Sequence, residues 1–196
     1  MNNIILDKKC SQAFQDKFVA DIIGQNGTYI EIGAHLPKKR SNTYNLEVFG
    51  NYKGFSIELD TDYKTHWDNQ NERKNKVYWD NALTFDYNVA ALENNLSNQI
   101  DYLSCDIEPP ENTLNALTRI INQGFTFNVI TFEHDRYQAD EKYELAANEF
   151  LLDRGYKIAV YDVYHRSPEK MFETWYINKD IDFEKVSFSE WIHSKR

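Results

Sequence analysis

Short apolar runs of strand length alternate with helix-like segments along nearly the whole chain, and no other feature restricts its folding as much. Strand candidates read as Thr28 to Ile32, Gly54 to Leu59, Lys76 to Trp79, Ile100 to Cys105 and Phe127 to Phe132, followed by Lys157 to Val163 and Glu173 to Ile177. A helix from Asn42 to Phe49 has Ser41 as its N-cap candidate and Gly50 as its stop. Pro109-Pro110 open another, with Leu114, Leu117 and Ile121 on one face and Gly124 at its end. A third runs from about Glu141 to Arg154 before Gly155, and Phe183 to His193 forms a short terminal helix. This alternation predicts an α/β fold of about seven strands, mostly parallel, with helices on both faces of the sheet. With 196 residues, no internal repeat and no low-complexity linker, residues 1–196 read as a single domain.

In such sheets ligands bind beyond the carboxyl ends of the strands, so the residues there are the ones to inspect. Five strand candidates run into acids: Glu31-Ile32-Gly33-Ala34, Glu58-Leu59-Asp60, Asp80-Asn81-Ala82, Asp106-Ile107-Glu108 and Glu133-His134-Asp135. A carboxylate at the second strand's end can accept both hydroxyls of a ribose, and Glu58 follows Gly33 at close to the roughly 20-residue spacing of dinucleotide sites. Gly33 would let the main chain approach a ligand closely. Asp80 can accept from an adenine amino group. An acidic crevice suits a cationic adenosyl ligand better than a pyrophosphate, and Gly33-Ala34-His35-Leu36-Pro37 carries no GxGxxG fingerprint.

Composition narrows the classes further. The apolar share of 41 % and aromatic share of 15 % are globular. No apolar run approaches the roughly 18 residues of a membrane span. Met1 to Lys9 lacks the apolar core of a secretory signal. Cys10 and Cys105 are the two cysteines, too few for a disulfide framework, so a cytoplasmic location is expected. The net charge is −9 and the densest basic cluster is Lys38-Lys39-Arg40. On that balance no nucleic-acid partner is expected. Oligomeric state is not legible.

Several segments together resemble a known family. They are Ser11-Gln12 with Gln15-Asp16-Lys17-Phe18-Val19, then Tyr29 to Ala34, Ser41-Asn42-Thr43 with Leu46-Glu47, Gly54 to Glu58, Asp80-Asn81-Ala82, and Ile100 to Glu108. In order and spacing the chain resembles the FkbM-type methyltransferases, within the class I Rossmann-like S-adenosylmethionine (SAM)-dependent enzymes. The resemblance implies SAM as cofactor, with Glu31, Gly33 and Ala34 in the first binding motif. It places Glu58 at the ribose and Asp80, Asn81 and Ala82 around the adenine, and brings Gln15 and Asn42 into the cofactor site. Asp106 would face the methyl-transfer centre. Two positions depart from the family pattern, with Pro37 and Pro109 standing where glycines are usual.

The reaction so implied is O-methylation of a hydroxyl on a sugar, glycan or small natural product. N-methylation and a non-catalytic SAM-binding module are the alternatives. A hydroxyl acceptor must lose its proton. Asp106, Glu108 and His134 are the catalytic candidates, and His134 has the ordinary pKa best suited to a base at neutral pH. Asp106 with Glu133 and Asp135 also resembles the divalent-cation site of some class I O-methyltransferases, which would hold magnesium or manganese. Tyr137 and Tyr164 are candidates for the wall of the acceptor pocket.

Overall fold

The computed structural model describes residue 7 and residues 10–194. The segment Met1–Lys9, read above for a secretory signal, lies apart from Asp7 outside the described residues. The elements run α1 (Gln15–Ile23), β1 (Thr28–Ile32), α2 (Tyr44–Val48), β2 (Lys53–Glu58), a 3₁₀ turn (Thr61–Tyr63), α3 (Lys64–Asp68), β3 (Lys76–Trp79) and α4 (Tyr87–Glu93). They continue with β4 (Gln99–Cys105), α5 (Pro110–Asn122), β5 (Thr126–Glu133), α6 (Arg136–Ala139) and α7 (Lys142–Leu152). β6 (Tyr156–Tyr164), β7 (Met171–Asn178), β8 (Val186–Ser187) and α8 (Phe188–Ser194) complete the chain.

One sheet of eight strands results, in the order β3-β2-β1-β4-β5-β7-β6-β8. β1 pairs in parallel with β2 on one side and β4 on the other, so the strand order reverses between β1 and β4. β7 inserts antiparallel between β5 and β6. The expectation of a mostly parallel sheet covered on both faces holds, with the two-residue β8 added.

The strands' two-residue period sorts their side chains onto two cores. Ile30, Ile32, Leu103, Cys105, Ile130 and Phe132 face one way, against Ala90 and Ala91 of α4, Leu117 and Ile120 of α5 and Leu151 of α7. Tyr29, Tyr102, Val129, Trp175 and Ile177 face the other, against Phe18 and Val19 of α1 and Trp191 of α8. The same parity carries Glu31, Ser104 and Glu133 to the second face, which decides the site below. Cys10 and Cys105 are both free and buried. Among the described residues no helix is long and apolar enough to cross a membrane.

Candidate active site

A cavity of about 620 Å³ opens beyond the carboxyl ends of β1, β2, β3 and β4, over the point where the strand order reverses. That size suits a nucleoside-sized ligand. Of the residues singled out from the sequence, Glu31, Gly33, Asn42, Glu58, Asp80, Asn81, Ala82, Asp106, Glu108 and Glu133 line it. Tyr137 lines it as well. Gln15, Ala34, His134 and Asp135 do not, and Tyr164 packs instead on Phe188.

Gly33 has φ of +91°, and a Cβ built there would overlap the carbonyl oxygen of Asp106. The glycine is thus demanded by the neighbouring strand's main chain, where close approach to a ligand was expected. Gly33 and Ala34 donate to the Ile57 carbonyl at 3.0 and 3.2 Å, and the Asp106 amide donates to Ile32 at 3.0 Å. The ends of β1, β2 and β4 are therefore stitched together, and Ala34 acts through its backbone.

Glu58 closes the loop above them. Its carboxylate accepts the amides of His35 at 2.7 Å and Asp60 at 2.8 Å. Each oxygen keeps a further lone pair for a ligand hydroxyl. His35 lies in the left-handed region with its ring 4.3 Å from that of Tyr63, and its carbonyl accepts the Trp67 indole at 2.8 Å. Beyond β3, Asp80 is exposed, and the Asn81 side chain accepts the Leu83 amide at 2.9 Å.

Sequence reasoning missed Arg73, which is only 3 % exposed. Its guanidinium donates to Glu47 at 2.7 Å, the Tyr29 hydroxyl at 2.9 Å and Thr43 at 2.8 Å, and lies 3.4 Å from Glu31. It also reaches Ser41 at 3.2 Å and the Pro37 carbonyl at 3.4 Å. Burial opposes ionisation of Glu47, yet the Arg73 charge and the Asn75 amide outweigh it and hold that carboxyl below its ordinary value. At Glu31 burial wins and raises the carboxyl despite Arg73 and a 2.7 Å bond from Ser56. Arg73 sits in the polar stretch Gln70 to Asn75, whose residue pattern contains no sign of burial. Asn42 donates to Ser104 at 3.1 Å, while its own oxygen, on a side chain 5 % exposed in the cavity wall, has no partner.

At the other end the acids are paired with one another. Burial raises Asp106, which Glu133 hydrogen-bonds, and lifts Glu133 well above the carboxylate range, with Asp106 adding to the effect. Desolvation raises Asp135 and Glu108 in the same way, and these two also bond each other. Behind them Glu173 is pushed up to about 8 by burial and accepts Gln15 at 2.8 Å and Trp175 at 2.7 Å. Gln15 is thus a buttress beneath the site and does not reach the cavity.

The divalent cation expected at Asp106, Glu133 and Asp135 finds no support. Among the described residues no group of three or more His, Cys, Asp or Glu is arranged to hold a metal ion. Asp106 is bonded to Glu133 and Asp135 to Glu108, and Asp135 is outside the cavity lining.

His134 is likewise corrected as a base. One residue past Glu133, it falls on the opposite face of the sheet. It is 1 % exposed, with Nε2 3.2 Å from Thr174 Oγ1 and 3.9 Å from Glu144. Burial lowers it from 6.5 to about 4. The unfolded chain therefore binds an extra proton between those two values. The stability His134 leaves intact above about pH 6.5 is lost as the pH falls toward 4. In urea unfolding between pH 7.5 and 4.5, His134→Gln is expected to flatten that acid loss. Parallel losses in parent and variant would assign it to other groups.

No family model and no curated protein matches the sequence. Solved structures do. A Clostridium thermocellum protein described as an rRNA-methylase superposes with a TM-score of 0.59 at 11 % identity, over 90 % of this chain and 100 % of its own. The small RNA methyltransferase HEN1 gives 0.56 at 10 % identity, over 94 % of this chain and 27 % of its own. Magnesium protoporphyrin IX methyltransferase (ChlM) from Synechocystis PCC 6803, solved with bound SAM, gives 0.51 at 12 % identity, over 85 % and 79 %. Two of these three are described as acting on RNA, so the exclusion of nucleic acid drawn from net charge is withdrawn. Net charge is a sum over the whole surface and does not describe what one cavity admits. The sheet order, the helices on both faces and these likenesses show that the chain has the Rossmann-like fold of class I methyltransferases.

Proposed function

We propose that the chain is a SAM-dependent methyltransferase acting on a hydroxyl, of the FkbM type that its motifs resemble. The observation that carries the reading is the cavity at the strand-order reversal, with Glu58 at one end and the Asp106–Glu133 pair at the other. The residues present fit the cofactor. Glu58 would hold the ribose hydroxyls. Asp80, Asn81 and Ala82 would frame the adenine, with Ile57, Leu83 and the 66 % exposed Leu59 offering apolar surface to its faces. The unpartnered Asn42 oxygen would accept the ligand's ammonium. Bound SAM supplies a methyl group already activated by its sulfonium.

What the chain adds is position and a proton acceptor. A carboxyl pair raised by burial is a better base for a hydroxyl than an ordinary exposed carboxylate. N-methylation is the second reading. Glu31, Glu58, Asp60, Asp80, Asp106, Glu108 and Glu133 all line the cavity and would draw in an ammonium group. The hydroxyl's carrier is a small molecule, a glycan or an RNA, and each belongs in an acceptor screen.

Calorimetry should show SAM or S-adenosylhomocysteine binding the purified protein. Glu58→Ala should weaken that binding by about 1.5–3 kcal/mol, the size of a hydrogen bond to a charged group. A parent protein that binds neither ligand at millimolar concentration would remove the methyltransferase reading.

A further inference from the structure

At the ends of β4 and β5 the cavity is lined by Asp106, Glu108 and Glu133, with Asp135 behind them, and none of the four carboxyls forms an ion pair with a described residue. We infer that this end takes a cationic nitrogen group of the acceptor, which makes the substrate a hydroxyl-bearing amine. The inference rests on the methyltransferase reading above, which assigns this end to the acceptor.

By contrast, Glu31 and Glu47 share Arg73, and Glu144 has Arg136. Burial raises Asp106, Glu133 and Asp135, as expected of acids withdrawn from water without a counter-charge. Asp135 supplies a separate sign of a missing partner. The residue is 2 % exposed, its Oδ2 accepts Gln138 at 3.4 Å, and its Oδ1 is buried with no partner. A carboxylate oxygen removed from water and left unbonded is costly. Asp135 reaches Glu108, which lines the cavity, so a cation entering there serves both.

Tyr137 adds an aromatic wall to the same end. Its short helix α6 is bracketed by Asp135 and Asp140, both in the left-handed region with φ of 47° and 64°. Arg136 anchors the segment to Glu144 at 3.0 Å and to Asp162 at 3.2 Å. Partial burial raises the Tyr137 phenol, and the charges of Asp135, Glu133 and Glu108 add to it, so the ring lies in the field of those acids. Aromatic faces attract cations. This ring already meets one, the Lys170 ammonium 6.0 Å from its centroid, and Lys170 is not in the cavity lining. Carboxylates beside an aromatic face favour an ammonium over a hydroxyl of similar size, because only the cation gains from both. The roles then divide. Asp106 with Glu133 meets the hydroxyl, while Glu108, Asp135 and Tyr137 hold the amine.

The test uses two small probes that differ in one group, ethanolamine and ethylene glycol. Each is added at constant ionic strength to the protein in the presence of S-adenosylhomocysteine, which carries no sulfonium charge of its own. The NMR signals of the Glu108 and Asp135 carboxyl carbons and of the Tyr137 ring should shift saturably with ethanolamine, with a Kd of about 1–10 mM, within reach of so small a ligand. Ethylene glycol should leave them in place. Glu108→Gln is expected to weaken ethanolamine about 10-fold and Tyr137→Leu about 2- to 5-fold. Both side chains are exposed, and calorimetry with S-adenosylhomocysteine reports that each variant is folded. No saturable shift with ethanolamine, equal shifts with both probes, or an affinity unchanged in both variants would overturn the inference, and the SAM reading would stand if S-adenosylhomocysteine still binds. A parent protein that binds ethanolamine but not S-adenosylhomocysteine would remove the methyltransferase reading, and with it the assignment of the cation to an acceptor.

Discussion

Replacing Arg73 by methionine should lower the stability of the fold by about 3–5 kcal/mol, the cost of leaving buried charges without their partner. Glu31 and Glu47 both lose their counter-charge, and Tyr29, Ser41 and Thr43 lose a donor. For a domain of this size that corresponds to a fall of roughly 6–20 °C in melting temperature. Urea unfolding and thermal melts would measure it. Removing one of the stranded acids, in Arg73→Met with Glu31→Gln, should recover part of the loss, because fewer buried charges are then unpaired. A melting temperature within about 2 °C of the parent for Arg73→Met alone would show that the network is not the clamp it resembles. The clamp matters beyond stability, since it fixes the turn from Pro37 to Ser41 at the mouth of the cavity.

Asp106→Asn should reduce single-turnover methylation by about 100-fold or more, the usual contribution of a positioned base, with SAM affinity changed only a few-fold. The substitution spares the main chain that matters at this position. The Asp106 amide still donates to Ile32, and its carbonyl still fills the space that Gly33 leaves open. The variant is therefore expected to fold. The parent's rate should fall on the acid side as the carboxyl pair becomes fully protonated, and because burial raises both groups the fall should begin above the ordinary carboxylate range. The apparent pKa of that limb belongs to Asp106 and Glu133 jointly. In the asparagine variant the limb should shift or vanish. Unchanged turnover with an unchanged acid limb would refute the assignment of Asp106 as the proton acceptor. The measurement requires an acceptor, found by screening hydroxyl-bearing small molecules, glycans and RNA with labelled SAM.

Most strands were legible because burial on both faces leaves a continuous apolar run, as in Ile100 to Cys105, and the edges shifted by only a residue or two. The helices α1 and α4 were not read as such. α4 is a two-turn helix whose Val89 and Leu92 are exposed, so its apolar residues do not form a clean stripe. The acids do stand at or just past the strand ends, as their positions in the sequence implied, but which way each faces was not read. A strict two-residue count along β5 separates Glu133 from His134, and it was available in the residues themselves.

The chain's local pattern by itself determined the α/β class, the strand positions and the gathering of Glu58, Asp80 and Asp106 at one edge of a parallel sheet. These follow from periodicity and from the rule that such strands share a direction. Only the tertiary structure decided which acids face the cavity, which are spent on one another, and which are held by partners remote in sequence. Gln15 meets Glu173 across 158 positions, and Arg73 meets Glu31 across 42. The physical reason is that a buried charge is governed by whatever surrounds it in three dimensions, and no short window of sequence contains that surrounding.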